Sequence, residues 1–542
     1  MKKLFWLLYV LVPLAVALGL RLYPTLTTGM PFSTDGWPII RNTELIIKNT
    51  PVPLNSNIFD GYDNFMPASS LFSAILSEVT GVAPMNVTAL AMPIVGALAI
   101  PIFYVLVNRI TRNASVSLVA SILLATAFPC TMFTAGVTKE TYASPLYILL
   151  ILLFLLKHDW KTTVLFLTVS AALVLSHQVT AFLTLAVLTL LSVGFCVSRA
   201  DAEPKRNSNK SNFLYVGILS TVAGLYFGLY ANAALIVTVT PSDLLTLGAY
   251  VILITAATLY LLLKPVKPAK THVTALLKYA VSFLVPAGIV FLSTRIPLVP
   301  GAPKLPLHYF VYATPFLIAG PLIVYGLSGL RKNNFSLLIP VLWFTAILSP
   351  AVYLVFADVP SETVSVYRFL DFLLPPMIIL MAASLGKVYN SKPRRFHTDK
   401  IAKFAAVALI AIITATSTFS LYAAVSLQEP YLGYFWSYQP SEYAASSWIA
   451  QRCGNQTVTG DAKTQYLLSG YFNVKVSVWP GLDFLAGNGR DPSILYVYNE
   501  MKTNGYVLYG GTVAPLPENW TDKLTDLNVV YTNNEVTIYL AR

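Results

Sequence analysis

The chain has 542 residues, of which 56% are hydrophobic and only 11% charged, and its mean hydropathy is +0.65. That composition excludes a soluble globular domain and a disordered chain, and it marks a polytopic membrane protein. Lys and Arg outnumber Asp and Glu by 36 to 24, for a net charge of +12, but the cations gather in connections between apolar segments, which excludes reading them as a nucleic-acid footprint.

Nearly uncharged windows of roughly 18 to 22 residues, enough for a helix to cross about 30 Å of hydrocarbon, recur through the first four-fifths of the chain. They predict about 13 transmembrane helices, near 4–20, 87–107, 116–134, 142–156, 162–177, 179–197, 213–239, 244–263, 273–293, 309–330, 335–356, 368–386 and 402–425. The first reads as an uncleaved helix, because no small-residue cleavage pattern follows it and Arg21-Leu22-Tyr23-Pro24 reads as an interfacial stop.

With the N-terminus in the cytoplasm, the inward connections collect Lys2, Lys3, Arg109, Arg112, Lys205, Arg206, Arg331, Lys332, Arg394 and Arg395 among others. The outward ones hold only Arg21, Arg41, Lys48, Lys139, Arg295, Lys304 and Arg368. This positive-inside bias predicts a multi-pass cell-membrane protein with its C-terminal region outside.

Two regions depart from the apolar helices. The first outer loop, 21–86, contains Ile39/Ile46 and Ile40/Ile47 at i, i+7, then the stripe Leu71, Phe72, Ile75, Leu76 and Val79. Both patterns read as helices lying on the membrane plane. From about residue 428 hydropathy falls, and the division is a transmembrane domain, 1–427, followed by a small extracytoplasmic α/β domain, 428–542. There Ser441 is placed to cap a helix through Trp448, 474–478 alternates like a strand, and 529–532 with 535–539 flank Asn533-Asn534 as a hairpin. Cys130, Cys196 and Cys453 provide neither a disulfide framework nor a Cys-based metal site.

Chemistry is sought in polar residues at the outer face. Asp35, in Ser33-Thr34-Asp35-Gly36-Trp37, is either a helix N-cap or a carboxylate free to act as a base, with Trp37 as interfacial anchor. Lys139-Glu140 is either an ion pair or a site where the lysine binds a phosphate and the glutamate an acceptor hydroxyl. His177, between the fifth and sixth windows, is a turn cap, a hydrogen-bond donor to a phosphate, or an acid. Arg368 snorkels from a helix end or grips a phosphate bidentately. Arg295 and Lys304 are further phosphate candidates, and Asp60 and Asp63 read as a turn.

Taken together, a carboxylate soon after the first helix, a long first loop with two surface helices, Lys139-Glu140 in the second loop and an arginine opening a late helix resemble the GT-C integral membrane glycosyltransferases. The resemblance implies a mainly α, GT-C-like membrane fold. It also implies a transferase that moves a sugar from a polyprenyl-phosphate donor to an extracytoplasmic glycan, lipid or protein acceptor. Asp35 and Glu140 would be catalytic, and Arg368, Lys139, His177, Arg295 and Lys304 would hold the donor phosphate.

Helices followed by an outer domain are also similar to the oligosaccharyltransferase catalytic subunit. That family's Trp-Trp-Asp motif is absent from the tail and its second-loop carboxylate pair is replaced by Lys139-Glu140, while Ser361-Glu362-Thr363 echoes its outer-loop glutamate and makes Glu362 an acceptor-site candidate. No metal site is assigned; magnesium or manganese enters only in the oligosaccharyltransferase-like alternative. A transporter or lipid flippase is the alternative of a different class, disfavoured by the lack of a repeat and by polar candidates gathered at one face.

Overall fold

Over their described residues the apolar windows fall mainly on helix in the computed structural model, which describes residues 2–51, 64–197, 208–231, 241–263, 272–297, 304–327, 337–356, 368–390, 398–453 and 456–541. The first loop and its flanks give α1 (Lys2–Thr28), α2 (Gly36–Lys48), α3 (Ala68–Thr80), α4 (Pro84–Ala97) and α5 (Ala99–Thr111). There follow α6 (Ala114–Thr126), α7 (Phe128–Ala135), α8 (Lys139–Leu155), α9 (Trp160–Ser176), α10 (Gln178–Val197) and α11 (Asn209–Leu225). The remaining membrane helices are α12 (Pro241–Leu263), α13 (His272–Ser293), α14 (Tyr309–Leu327), α15 (Leu338–Phe356), α16 (Phe369–Tyr389) and α17 (Thr398–Val425).

Among the described residues nine helices are long and apolar enough to cross a membrane, or ten if one bent pair is a single span. Two of the windows not counted, α8 and α9, form helices of 17 residues each, just short of a full crossing. The bent pair is α6 and α7, which meet at 60°. Pro129 causes the break, because it lacks the N–H that the Ala125 carbonyl needs four residues earlier. That carbonyl is satisfied instead by the Thr131 hydroxyl at 3.0 Å and by Arg21 Nη1 at 3.2 Å.

The same contact corrects the expected stop at Arg21. The first helix runs on to Thr28, and Arg21 lies inside it, 1% exposed, with Nε donating to Thr134 Oγ1 at 2.8 Å. Trp37 is likewise no interfacial anchor, being completely buried. In α3 the packed face is Ser69, Ser70, Ser73, Ala74 and Ser77, while Ile75 and Val79 are 64% and 79% exposed. Small polar residues let α3 approach α2 closely, where Ser70 Oγ donates to the Ile39 carbonyl at 3.2 Å, and Phe72 packs against Tyr142 while Ile75 and Val79 stay exposed.

The tail has its own core. It comprises α18 (Pro440–Arg452), β1 (Val458–Thr459), α19 (Ala462–Leu468), β2 (Val476–Ser477), α20 (Trp479–Leu485), β3 (Ile494–Tyr498), α21 (Glu500–Asn504), β4 (Tyr506–Val507), β5 (Val513–Ala514), β6 (Asn528–Thr532) and β7 (Val536–Leu540). Five strands form one sheet in the order β2-β1-β3-β7-β6, parallel where β1 meets β2 and β3 and antiparallel elsewhere. The predicted hairpin is β6–β7, with Asn534 at φ 70° in its turn. The strand expected over 474–478 shortens to Val476–Ser477. Ser441 is not the cap; α18 starts at Pro440, and Glu442 Oε2 accepts the Gln439 N–H at 2.8 Å.

The charge asymmetry yields a topology test. Ser208, Ser242 and Asn488 are all exposed. In a background lacking Cys196 and Cys453, a cysteine at Ser242 or Asn488 is expected to react with an impermeant maleimide on intact cells, and one at Ser208 to react only after permeabilisation. Labelling of the Ser208 position in intact cells would reverse the orientation.

Candidate active site

Three chain segments meet at Asp35. Gly29, at φ +70°, ends α1 and turns the chain, and Phe32 then accepts the Val137 N–H at 2.8 Å while Ser33 donates its own to the Trp436 carbonyl at 2.9 Å. Two glycines permit this approach: a Cβ on Gly36 would lie 3.0 Å from Val137, and one on Gly136 would lie 3.0 Å from Ser33 and 3.2 Å from the Trp436 ring. Ser33 itself adopts φ 94°, a costly conformation for a residue with a side chain and of the kind that collects at functional sites.

Asp35 follows at the N-cap position of α2, yet its carboxylate makes no capping hydrogen bond, and the side chain is only half-buried. An ordinary cap would accept an N–H from the first turn. Here the carboxylate oxygens remain available for other chemistry.

The second segment is the α7–α8 connection. Thr138 caps α8 by accepting the Thr141 N–H at 2.9 Å, which puts Lys139 and Glu140 in the first helical turn rather than in a loop. Glu140 is 5% exposed, and Asp35, Arg368 and Asp371 all lie close enough to act on its charge. Asp371 is buried as well. Arg368 occupies the N-cap position of α16, one turn before Asp371, so both project from the same part of that helix. His177 closes α9, 9% exposed, with Nδ1 2.6 Å from Thr180 Oγ1 and with Arg368 and Lys139 as its charged neighbours.

The site therefore gathers Asp35, Lys139, Glu140, His177 and Arg368 at the N-terminal ends of α2, α8 and α16 and the turn after α9. Each helix start carries unpaired N–H groups and partial positive charge, so three of them together favour an anion such as a phosphate. Arg295 and Lys304 are exposed on the α13–α14 connection, and no described contact joins them to this group. Glu362, Asp60 and Asp63 lie outside the described residues.

Two buried charges escaped the sequence reading. Asp371 is 6% exposed and Arg21 lies within electrostatic reach of it. An ionisable residue inside an apolar helix is itself the signal that would have found Asp371. Arg21 was hidden because the apolar run in the sequence ends there, whereas the helix continues to Thr28.

The tail domain holds α2 in place. Trp37 packs edge-on to Tyr438 with centroids 5.1 Å apart and also meets Tyr443 at 6.0 Å and Tyr471 at 5.7 Å. Tyr471 donates to Glu44 Oε1 at 2.9 Å. Behind Tyr438, Lys463 makes a 2.7 Å ion pair with Glu442, both almost fully buried, and its ammonium sits over the rings of Tyr438 and Tyr498 at 5.0 and 4.5 Å. The linker is tied to α14 through Glu429, which accepts from Tyr309 at 3.0 Å and Tyr312 at 3.1 Å.

Among the described residues no group of three or more His, Cys, Asp or Glu is arranged to hold a metal. Lys139 stands next to Glu140 in sequence.

No protein-family model matches the sequence, and no curated protein matches it. Solved structures do match. AglB from Archaeoglobus fulgidus, an archaeal oligosaccharyltransferase in complex with an inhibitory peptide and a dolichol-phosphate, is similar with a TM-score of 0.59 at 12% identity, over 93% of this chain and 70% of its own. The chain has the GT-C fold. ArnT from Cupriavidus metallidurans in the apo state shares that GT-C architecture with a TM-score of 0.50 at 11% identity, over 99% of this chain and 98% of its own. At such identities the likeness is one of fold, and what the GT-C frame does in this chain has to be argued from its own residues.

Proposed function

We propose that this GT-C protein transfers a sugar from a polyprenyl-phosphate carrier to an acceptor hydroxyl on the tail-domain side of the membrane. The observation that carries the reading is the meeting of an uncapped carboxylate, Asp35, with two cations, Lys139 and Arg368, at three helix N-termini. A donor dissolved in the bilayer presents its phosphate at that depth. Asp35 accepts the acceptor hydroxyl proton as the oxygen attacks the anomeric carbon. The bond from that carbon to the phosphate oxygen breaks, and Arg368, Lys139 and the helix N-termini stabilise the departing polyprenyl phosphate. The N-terminus is assigned to the cytoplasm, which puts the acceptor outside.

The likeness to AglB favours one second reading, transfer to a protein as an oligosaccharyltransferase does. Metal dependence separates the two. Purified protein supplied with a short-chain polyprenyl-phosphate sugar and a membrane-extract acceptor is expected to transfer the sugar equally with and without a chelator, because Lys139 sets a positive charge beside Glu140 and disfavours a hard divalent cation. Activity lost to the chelator and restored by manganese or magnesium would move the assignment to the oligosaccharyltransferase-like alternative. No transfer of sugar from any polyprenyl-phosphate donor would remove the transferase reading.

A further inference from the structure

One short piece of the tail grips the chain on both sides of Asp35. Two residues before it, Ser33 donates its N–H to the Trp436 carbonyl at 2.9 Å, and two residues after it, Trp37 packs against the Tyr438 ring with centroids 5.1 Å apart. Ser437, between the two holding residues, is extended, with φ −84° and ψ 128°. The turn that is held passes the constraint on to Asp35 itself. Ser33 Oγ accepts the Asp35 N–H at 3.3 Å, and the Ser33 carbonyl accepts the Gly36 N–H at 3.2 Å. Ser33 is completely buried at φ 94°, a conformation that persists only where the surroundings over-determine it, and the Trp436 carbonyl is one of the groups that do so.

Tyr438 is braced from behind. Its hydroxyl donates to the Lys463 carbonyl at 2.9 Å, and the Lys463 ammonium lies over its ring at 5.0 Å. Glu442 fixes that ammonium at 2.7 Å, and Asp461 fixes the start of α19 by accepting the Thr464 N–H and hydroxyl at 2.9 Å each. We infer that residues 436–438 form a clip that sets the place of the Asp35 carboxylate, with Tyr438, braced by Lys463, as its positioning residue. The Asp35 side chain makes no capping bond, so where its oxygens stand depends on its backbone, and the clip fixes that backbone on both flanks. The tail is then part of the active site without touching the reacting atoms, because a base displaced by about 1 Å can lose on the order of a hundredfold in rate.

The kinetic consequences rest on the proposed transferase reading, but the clip can be tested without substrate. In a background lacking Cys196 and Cys453, a nitroxide on Asp35→Cys is expected to give a motionally restricted spectrum that loosens when Tyr438→Leu is added. A nitroxide on Lys48→Cys, exposed at the far end of α2, should not change. Equal mobility at position 35 with and without Tyr438→Leu overturns the proposal whatever the protein transfers.

Turnover, read per folded molecule, gives the second measurement. Tyr438→Leu is expected to lower kcat by roughly ten- to a hundredfold while the KM for donor stays within about twofold, since the donor site is untouched. Tyr438→Phe, which keeps the ring against Trp37, should recover most of that loss, and Tyr438→Met, which fills similar space without a ring, replaces the leucine form if that form does not fold. In an Asp35→Asn background, Tyr438→Leu should cost almost nothing more, because the carboxylate it positions is already gone. Equal losses in both backgrounds, or a phenylalanine form as impaired as the leucine form, would show that Tyr438 does not act through Asp35. Failure of wild type itself to transfer sugar, with the nitroxide result as expected, would sink the transferase reading and leave the clip standing.

Discussion

Replacing Asp35 by Asn is expected to lower sugar transfer by on the order of 10² to 10⁴-fold, the usual contribution of a positioned general base. An amide has the shape of the carboxylate but cannot take the hydroxyl proton. The usual objection to such a substitution, that it breaks a helix cap, is weak here because the Asp35 side chain makes no capping hydrogen bond. Thermal stability is therefore expected to stay within about 0.5 kcal/mol of wild type, as for a substitution that touches no structural contact. The loss should fall on kcat, with the KM for donor little changed, because proton acceptance develops only as the bond forms. A well-folded Asp35→Asn protein with near-normal turnover would return Asp35 to a merely local part in the turn.

Arg368 carries the next largest expected effect. Its planar, permanently charged fork can meet two phosphate oxygens at once, which an ammonium cannot. Arg368→Ala is expected to reduce kcat/KM by roughly ten- to a hundredfold, corresponding to about 1.5–3 kcal/mol for a charged hydrogen bond. Arg368→Lys should fall between, although the net charge is kept. Both constants should suffer, since the phosphate is present in the bound donor and gains negative charge as it leaves. The measurement is a donor titration with purified variants and a short-chain polyprenyl-phosphate sugar. Equal activity of all three forms would take Arg368 out of the site and leave Lys139, Arg295 and Lys304 as the phosphate candidates.

The membrane fold was readable because lipid imposes a one-dimensional rule. A segment that crosses must satisfy its backbone internally and cover itself with apolar side chains, so every crossing leaves a run of the right length in the sequence. The tail hairpin was readable for a similar reason, its two alternating runs and Asn533-Asn534 turn being adjacent in the chain. Reading failed where one residue's surroundings come from remote segments. Arg21 resembles the end of a span until Thr134 and the Ala125 carbonyl are seen around its guanidinium. Trp37 resembles a lipid-interface anchor until residues 438, 443 and 471 are found enclosing it.

Composition, charge placement and the length of apolar runs thus determined, from sequence alone, a polytopic α-helical membrane protein with a separate α/β tail and a set of polar residues worth testing. Only the tertiary structure decided which of them share a site. Asp35, Glu140, His177 and Arg368 come from four places spread over more than half of the chain, and they meet because α2, α8 and α16 begin at one place and two glycines let the connecting strands touch there. That Asp371 is buried was equally invisible, because the sequence does not say which face of an apolar helix turns inward. Periodicity and hydropathy are properties of neighbours along the chain, whereas charge pairing and close packing belong to neighbours in space.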